Sequence, residues 1–318
     1  MKPLHSIQIT AVGAYAPPKV LTNTELSTIV DTSDEWIRSH TGIGERHIAE
    51  KEQTTSDLAM LAVEDLLARF GRSKDEIDGI VVATATSDYP GFPSTACLLA
   101  ERLGTSGPAL DVSAGCTGFI YALEVARAMI LSNSMRNALV IGAEKLSSVI
   151  NWKDRNTCVL FGDGAGCVLL EQDSSKQGLL DTLLKAEGAG SGALTIDPGQ
   201  RCITMEGRAV YNFAVRSIGE TILSLVQRNN LTIDDIDWIV PHQANKRIIS
   251  ACAKRYSLNE DAFYLNIEHY ANTSAASIPL ALAEMQKKGL LKEGQKLLFV
   301  GFGAGLTYGG SLLVWHQS

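Results

Sequence analysis

Apolar and polar residues alternate from Ile7 to Gly13, the period of a half-buried strand. The period changes between Asp57 and Phe70. There Leu58, Ala62, Leu66 and Phe70 recur at i, i+4, i+8 and i+12, one face of a helix, and Thr54 with Asp57 forms a capping box ahead of it. Ile77–Ala85 is a β-branched run of buried-strand length, and Pro93–Leu103 reads as a helix stopped by Gly104. Ala109–Val112 predicts a short strand and Thr117–Leu131 a long apolar helix. Ala138–Gly142 and Gly166–Leu170 predict two more strands. Strand and helix periods alternating in this way predict an α/β chain whose sheets are covered on both faces.

The pattern then repeats. Asp75-Glu76-Ile77-Asp78-Gly79-Ile80-Val81 lines up with Asp234-Asp235-Ile236-Asp237-Trp238-Ile239-Val240, and the helix holding Cys97 with the helix holding Cys252. Leu110-Asp111-Val112 before Cys116 matches Leu265-Asn266-Ile267 before Asn272. Leu139–Gly142 matches Leu298–Gly301, and Gly166–Leu170 matches Gly310–Val314. Five matches in one order imply duplication. We expect two α/β halves, 1–172 and 173–318, packed about a pseudo-twofold axis, with strand ends converging where α/β proteins place their sites.

Composition narrows the function. The 318 residues carry a net charge of −7, with 45% hydrophobic and 20% charged residues. That is a globular chain without the basic stripe a nucleic-acid binder needs. No apolar run has the length of a membrane span, and Met1-Lys2-Pro3-Leu4-His5 leads straight into strand pattern with no signal-peptide core, so the expected location is the cytoplasm. The six cysteines (Cys97, Cys116, Cys158, Cys167, Cys202 and Cys252) form no CxxC pair, which disfavours zinc sites and redox motifs.

Cys116 stands out among them. It follows a short strand and Ser113-Ala114-Gly115 and opens a helix, where free N–H groups and the helix dipole lower a thiol pKa. The other five read as buried structural cysteines. His242 follows the strand Trp238–Val240 at its carboxyl end, where an imidazole can donate a proton or hydrogen bond. Asn272, in Ala271-Asn272-Thr273-Ser274-Ala275-Ala276-Ser277, would ordinarily be a helix N-cap. The duplication places it opposite Cys116. Two glycine runs, Gly162–Gly166 and Gly301–Gly305, adjoin strands rather than a nucleotide-binding helix. They read as close backbone approach to a substrate or nucleophile, with N–H groups free for an oxyanion. Trp36 lies in a polar, helix-starting segment and could stack a flat ring. Lys246, Arg247, Lys254 and Arg255 cluster on the helix after His242, either as a solvated face or as a landing site for an acidic partner.

A papain-like hydrolase shares the order Cys, His, Asn, here with the His 126 and the Asn 156 residues after the Cys. It would need a Cys-Gly-Ser-Cys-Trp/Tyr context that is absent, and it leaves the duplication unexplained. A non-catalytic acyl-CoA-binding module would explain Trp36 but not a poised thiol.

Asp31–Arg38, Thr41-Gly42-Ile43 through Arg46-His47-Ile48, Cys116-Thr117-Gly118-Phe119, Phe161–Gly166, Pro241–Asn245, Asn272–Ser277 and Gly301–Gly309 together resemble the β-ketoacyl-acyl-carrier-protein synthase III family of the thiolase superfamily, over essentially the whole chain. The resemblance implies a five-layer αβαβα fold, a homodimer, and condensation of an acyl-CoA primer with malonyl-acyl-carrier protein at the start of fatty-acid synthesis. It implies Cys116 as the acyl-accepting nucleophile, His242 and Asn272 as stabilisers of the enolate, and the backbone N–H groups of Cys116 and Ala304 as the oxyanion hole. Thr32, Trp36, Arg155 and Asn245 would hold CoA, with Trp36 and Arg155 on either side of the adenine. Phe92 would line the primer pocket across the dimer interface, and Arg247, Lys254 and Arg255 would receive the carrier protein. It implies neither a metal nor a cofactor, since CoA is part of the substrate. A related enzyme condensing acyl-CoA units for a secondary metabolite is the alternative. A thiolase proper would need a second catalytic cysteine, and none follows Cys252. Three positions depart from the family habit: His40 where several members have Arg, Gly115 where Ala is common, and Ala304 where Gly is often seen.

Overall fold

The computed structural model describes residues 6–173 and 175–316, so Met1–His5 lie outside the described residues. The first half runs β1 (Ile7–Tyr15), β2 (Val20–Thr22), α1 (Asn23–Leu26), α2 (Asp34–Thr41), β3 (Glu45–His47), α3 (Thr55–Phe70), β4 (Gly79–Ala83) and α4 (Thr95–Leu103). It continues through β5 (Ala109–Val112), α5 (Gly118–Leu131), β6 (Asn137–Glu144), α6 (Arg155–Cys158) and β7 (Gly164–Gln172). The second half runs β8 (Leu179–Ala186), β9 (Leu194–Ile196), β10 (Ile203–Met205), α7 (Gly207–Arg228), β11 (Trp238–Pro241) and α8 (Lys246–Tyr256). It ends with α9 (Ile267–Tyr270), α10 (Ser277–Lys287), β12 (Lys296–Gly303) and β13 (Thr307–Val314).

Local chemistry sets the main boundaries. Thr54 and Asp57 form the capping box that starts α3, and Gly71 stops the helix in the left-handed region at φ 61°. The α4 helix begins at Thr95 because the Asp111 carboxylate accepts the Thr95 and Ala96 N–H groups at 2.7 and 2.8 Å. It ends at Gly104, φ 76°.

One sheet has the order β1-β7-β6-β4-β5 and the other β11-β12-β13-β8. The pairs β6/β4, β4/β5 and β11/β12 are parallel and the rest antiparallel. The apolar stripes of α3 and α4 cover the outer face of the first sheet, and α7 and α8 cover that of the second. Between the sheets lie α5 and α10, each touching both, in a core that joins Val81 and Phe119 to Val240 and Phe299. The result is the five-layer αβαβα stack. The segments α1, α2, α6 and β10 cap one end around a smaller apolar cluster that includes Ile37, Ile43 and Phe161.

Two parts of the repeat differ from expectation. Leu265-Asn266-Ile267 is no strand: the second sheet has only an isolated bridge, Ile239 to Phe263, where β5 would pair. The buried Gln243 amide takes the backbone groups there, donating to Tyr264 O and accepting the Asn266 N–H. Asn272 is also not the equivalent of Cys116. Each half has a one-turn 3-10 helix, Gly115–Thr117 and Ser274–Ala276, opened by a positive-φ residue, Gly115 at 52° and Ser274 at 49°. That register pairs Cys116 with Ala275. The insertion of α9 displaces Asn272 to two residues before its turn.

Candidate active site

The turn that holds Cys116 presses against the loop after β12. A Cβ on Gly303 would lie 2.6 Å from Cys116 N, and one on Gly115 would lie 3.0 Å from Ala304 N and 3.2 Å from Ala304 Cβ. Only glycines permit that approach. The loop is clamped by Thr307, whose Oγ1 sits 3.0 Å from both Ala114 O and Ala304 O, while Thr117 Oγ1 donates to Thr307 O at 3.1 Å. Ala304 keeps a negative φ, so its N–H stands beside that of Cys116 at no conformational cost.

His242 comes in from the end of β11 and is 1% exposed. Its backbone N–H donates to Val300 O, its ring Nδ1 lies 2.8 Å from Ser277 Oγ, and Phe302 meets the ring edge-on. Burial pushes its pKa down to about 3, so the imidazole is neutral. Asn272 is held by backbone pairing to Leu160 and Gly162, and its Oδ1 accepts the Ser274 N–H at 2.8 Å. That leaves the NH2 end of the amide as the free one. The residue before it, Ala271, sits at φ 56° and ψ −157°, a region essentially reserved for glycine, so strain is stored next to the amide.

Cys116, His242 and Asn272 share a cavity of about 240 Å³ whose mouth carries Trp36, His40, Asn245 and Arg247. A second cavity of about 370 Å³ opens on the other side of Cys116, walled by Ala85, Leu146, Phe161, Leu194 and Ile203. The thiol therefore stands between a channel to solvent and a mostly apolar chamber.

The thiol itself corrects the expectation of a lowered pKa. Burial, reinforced by the negative charge of Glu144, pushes Cys116 up to about 12, only partly offset by the Ser274 hydroxyl. Removing a thiolate from water costs more here than one short turn of N–H groups returns. Of the other cysteines, Cys158, Cys167 and Cys252 are buried as expected. Cys97 is exposed and Cys202 partly so, because Cys97 falls on the outer side of α4.

The outer residues form two groups. Trp36, on α2, stacks on His40 with centroids 4.4 Å apart, and the Arg155 guanidinium lies 4.9 Å from the Trp36 ring. A ring slotted between Trp36 and Arg155 needs about 7 Å, twice a van der Waals contact, so the arrangement is closed and Arg155 must swing out to admit one. Thr32 lies just ahead, its buried Oγ1 without a partner among the described residues. Asn245 is the N-cap of α8: its Oδ1 accepts the Arg247 N–H and its Nδ2 donates to His40 O, so both ends of the amide are already used. Arg247, Lys254 and Arg255 are exposed on α8, and none of them is in an ion pair among the described residues. Phe92 lines neither cavity. It is 92% exposed, on an irregular loop that carries it away from its own chain's chamber.

Glu144 was missing from the sequence reading. It ends β6 completely buried, and its carboxylate accepts from Ala85 N at 3.1 Å, Thr86 Oγ1 at 2.6 Å and Thr84 Oγ1 at 3.3 Å. Burial pushes its pKa up to about 7, against the lowering influence of these donors and of the Ser274 hydroxyl and Ala275 N–H. A lone carboxylate closing the apolar run Ala138–Ala143 was the available signal. Ser274, Ser277 and Thr307 gave none, since hydroxyls in small-residue loops are common.

Residues 110–188 match the family 3-oxoacyl-[acyl-carrier-protein (ACP)] synthase III, and residues 226–315 match its C-terminal family. The chain is 46% identical to the β-ketoacyl-acyl-carrier-protein synthase III of Caldanaerobacter subterraneus over 97% of this chain and 98% of that one. The Xanthomonas campestris enzyme of the same name is 47% identical over 96% of this chain and 97% of its own length. The crystal structure of 3-oxoacyl-acyl-carrier-protein synthase III from Aquifex aeolicus superposes with a TM-score of 0.93 at 44% identity, covering 98% of this chain and all of the other. Similarity at this level, end to end in both sequence and fold, means that the chain belongs to the β-ketoacyl-acyl-carrier-protein synthase III family.

Proposed function

We propose that the chain condenses a short acyl-CoA primer with malonyl-acyl-carrier protein, releasing CoA and CO2 and giving a 3-oxoacyl-carrier protein, the step that initiates fatty-acid synthesis. The primer's acyl group enters the apolar chamber and its thioester carbonyl meets Cys116. Sulfur attack forms the Sγ–C bond, and the tetrahedral oxyanion lies against the N–H groups of Cys116 and Ala304. Collapse breaks the bond to the CoA sulfur and leaves an acyl-cysteine, which divides one hard exchange into two easier ones. Malonyl-carrier protein then takes the channel. Its carboxylate leaves as CO2, the electron pair passes into an enolate, and the enolate carbon attacks the acyl-cysteine carbonyl and expels the Cys116 sulfur.

The observation that carries this reading is a pair of neutral donors whose other polar ends are tied back. In this reading the Ser277 hydroxyl donates to His242 Nδ1, which assigns the ring proton to Nε2 for the channel, and the Ser274 N–H holds Asn272 Oδ1, which leaves the NH2 group. Two such donors in a dry cavity stabilise an enolate oxygen without a metal, and losing one donor of this kind typically costs about 10²–10³ in rate. CoA enters as part of a substrate. Trp36, Arg155 and Thr32 bracket its nucleotide end, and the cations Arg247, Lys254 and Arg255 of α8 attract the acidic carrier protein. The enzyme works as a cytoplasmic homodimer, in which the exposed Phe92 ring closes the partner's primer chamber rather than its own.

Intact-mass spectrometry after exposure to acetyl-, branched and medium-chain acyl-CoAs tests the reading. One acyl mass is expected on the wild type and none on Cys116→Ser. A label that persists in Cys116→Ser, or no adduct on the wild type with any acyl-CoA, removes the reading.

A further inference from the structure

Arg46, in the middle of β3, is completely buried and among the largest such side chains of the fold. Burial pulls its pKa down to about 10, so the guanidinium is charged at neutral pH. Among the described residues no carboxylate lies within ion-pair distance of it. It donates instead to neutral oxygens: Nη1 to Leu21 O at 3.1 Å and to Asn23 Oδ1 at 2.8 Å, and Nη2 to Val159 O at 3.0 Å. Its Nε has no partner among the described residues. A buried guanidinium that is neither ion-paired nor fully hydrogen-bonded is a poor source of stability. It is a good source of geometry, because one rigid planar fork joins three separate backbone segments. Asn23 extends that fork, since its Nδ2 donates to Asp34 Oδ1 at 2.8 Å at the start of α2.

The third of those segments is the one Asn272 pairs with. Val159 leads into Leu160–Gly162, where Leu160 O accepts the Asn272 N–H at 2.9 Å and the Gly162 N–H donates to Asn272 O at 3.0 Å. The far end of the segment is fixed by β3 as well, with Asp163 N–H donating to His47 O at 2.9 Å. Gly162 makes the contact close: a Cβ there would lie 3.1 Å from Arg46 Cβ and 2.7 Å from Tyr270 O, so β3 and the loop before Asn272 both press on it. The strained backbone of Ala271 persists only while its surroundings hold it. We propose that Arg46 is a positioning residue for Asn272. By holding Val159 it fixes the segment against which Asn272 pairs, and so aims the free amide NH2 at the channel where the enolate forms. No bond is made or broken at Arg46, and its effect on the chemistry passes through Asn272.

This inference rests on the reading of Asn272 as a donor to the enolate, and its test separates the two. Two half-reactions are followed in wild type, Arg46→Met, Asn272→Ala and the double variant, with thermal melting as the check on folding. One is acyl transfer to Cys116, read by intact mass at saturating acetyl-CoA because Phe161, on the same segment, walls both cavities. The other is release of labelled CO2 from malonyl-carrier protein. Arg46→Met is expected to acylate near the wild-type rate and to lose about 10²-fold in CO2 release, the scale of a donor misplaced by about 1 Å. The double variant is expected to be no slower in CO2 release than Asn272→Ala alone, because the two residues act as one unit. If Arg46→Met fails to fold, Arg46→Lys, which keeps the charge but not the fork, is read in the same way. A folded variant that releases CO2 at the wild-type rate overturns the proposal. So does an equal loss in both half-reactions, or an additive loss in the double variant, either of which marks a general structural role. An Asn272→Ala that releases CO2 at the wild-type rate overturns the enolate reading itself.

Discussion

At the scale of single residues, the two departures beside the nucleophile compensate each other. Gly115 adopts φ 52°, and the space its missing methyl leaves is taken by the methyl of Ala304, 3.2 Å from where a Cβ on Gly115 would be. One methyl occupies this contact, and it sits on the oxyanion loop rather than on the nucleophile turn. Gly115→Ala alone should cost about 1 kcal/mol of stability from its left-handed backbone and a larger share of acylation rate, because the new methyl displaces the Ala304 N–H. Ala304→Gly should be mild, and the double variant should recover much of the lost rate. Additive losses across that double-mutant cycle would show that the two methyls do not compete. A second residue-scale prediction separates the two half-reactions. His242→Ala should still accept an acetyl group on Cys116 while losing malonyl decarboxylation by about 10²–10³, read as labelled CO2 release. Joint loss of both steps would make the histidine the activator of the thiol.

At the scale of elements, short polar signals decide where helices begin, and apolar periodicity decides which face they bury. The Thr54–Asp57 box ties both N-terminal backbone groups of α3, with Thr54 N–H donating to Asp57 Oδ2 at 2.8 Å. Because α3 covers the outer face of the first sheet, Thr54→Ala should lower stability by about 1 kcal/mol and shift the urea midpoint without altering acyl transfer. An unchanged midpoint would mean that packing alone holds the helix end. These elements were readable in the sequence because their determinants are local. The missing counterpart of β5 was not, because Gln243, a residue distant in sequence, supplies the partners that a neighbouring strand would have used.

At the scale of the whole molecule, two buried titratable groups set opposing pH trends. His242, depressed from 6.5 to about 3, takes up a proton in the unfolded chain before the folded one, so its contribution is whole above pH 6.5 and is lost as pH falls toward 3. Glu144, raised from 4.5 to about 7, does the reverse: its contribution is whole below pH 4.5 and is lost as pH rises through 7. Between pH 4.5 and 6.5 the two oppose each other. Melting temperature against pH should therefore climb more steeply from 5 to 6.5 in Glu144→Gln than in wild type, and climb less or fall in His242→Ala. Parallel curves for all three proteins would refute the linkage. The interior that creates these trends is the one shared by the two halves, where α5 and α10 meet both sheets.

The sequence by itself determined the succession of strands and helices, the duplication, and the three side chains worth watching, because periodicity, caps and repeats are written in neighbouring residues. Only the tertiary structure decided how those side chains behave. It put Cys116 out of reach of water, so the sulfur's charge costs more than a helix end returns. It turned the Asn272 and His242 donors toward one channel through bonds to Ser274 and Ser277. It also buried Glu144 at the end of β6, and it set Phe92 outside its own chain's chamber. The Asn272–Ser274 bond is local, but the others depend on desolvation or on a partner far along the chain or in the opposite half, and neither is visible in a one-dimensional pattern.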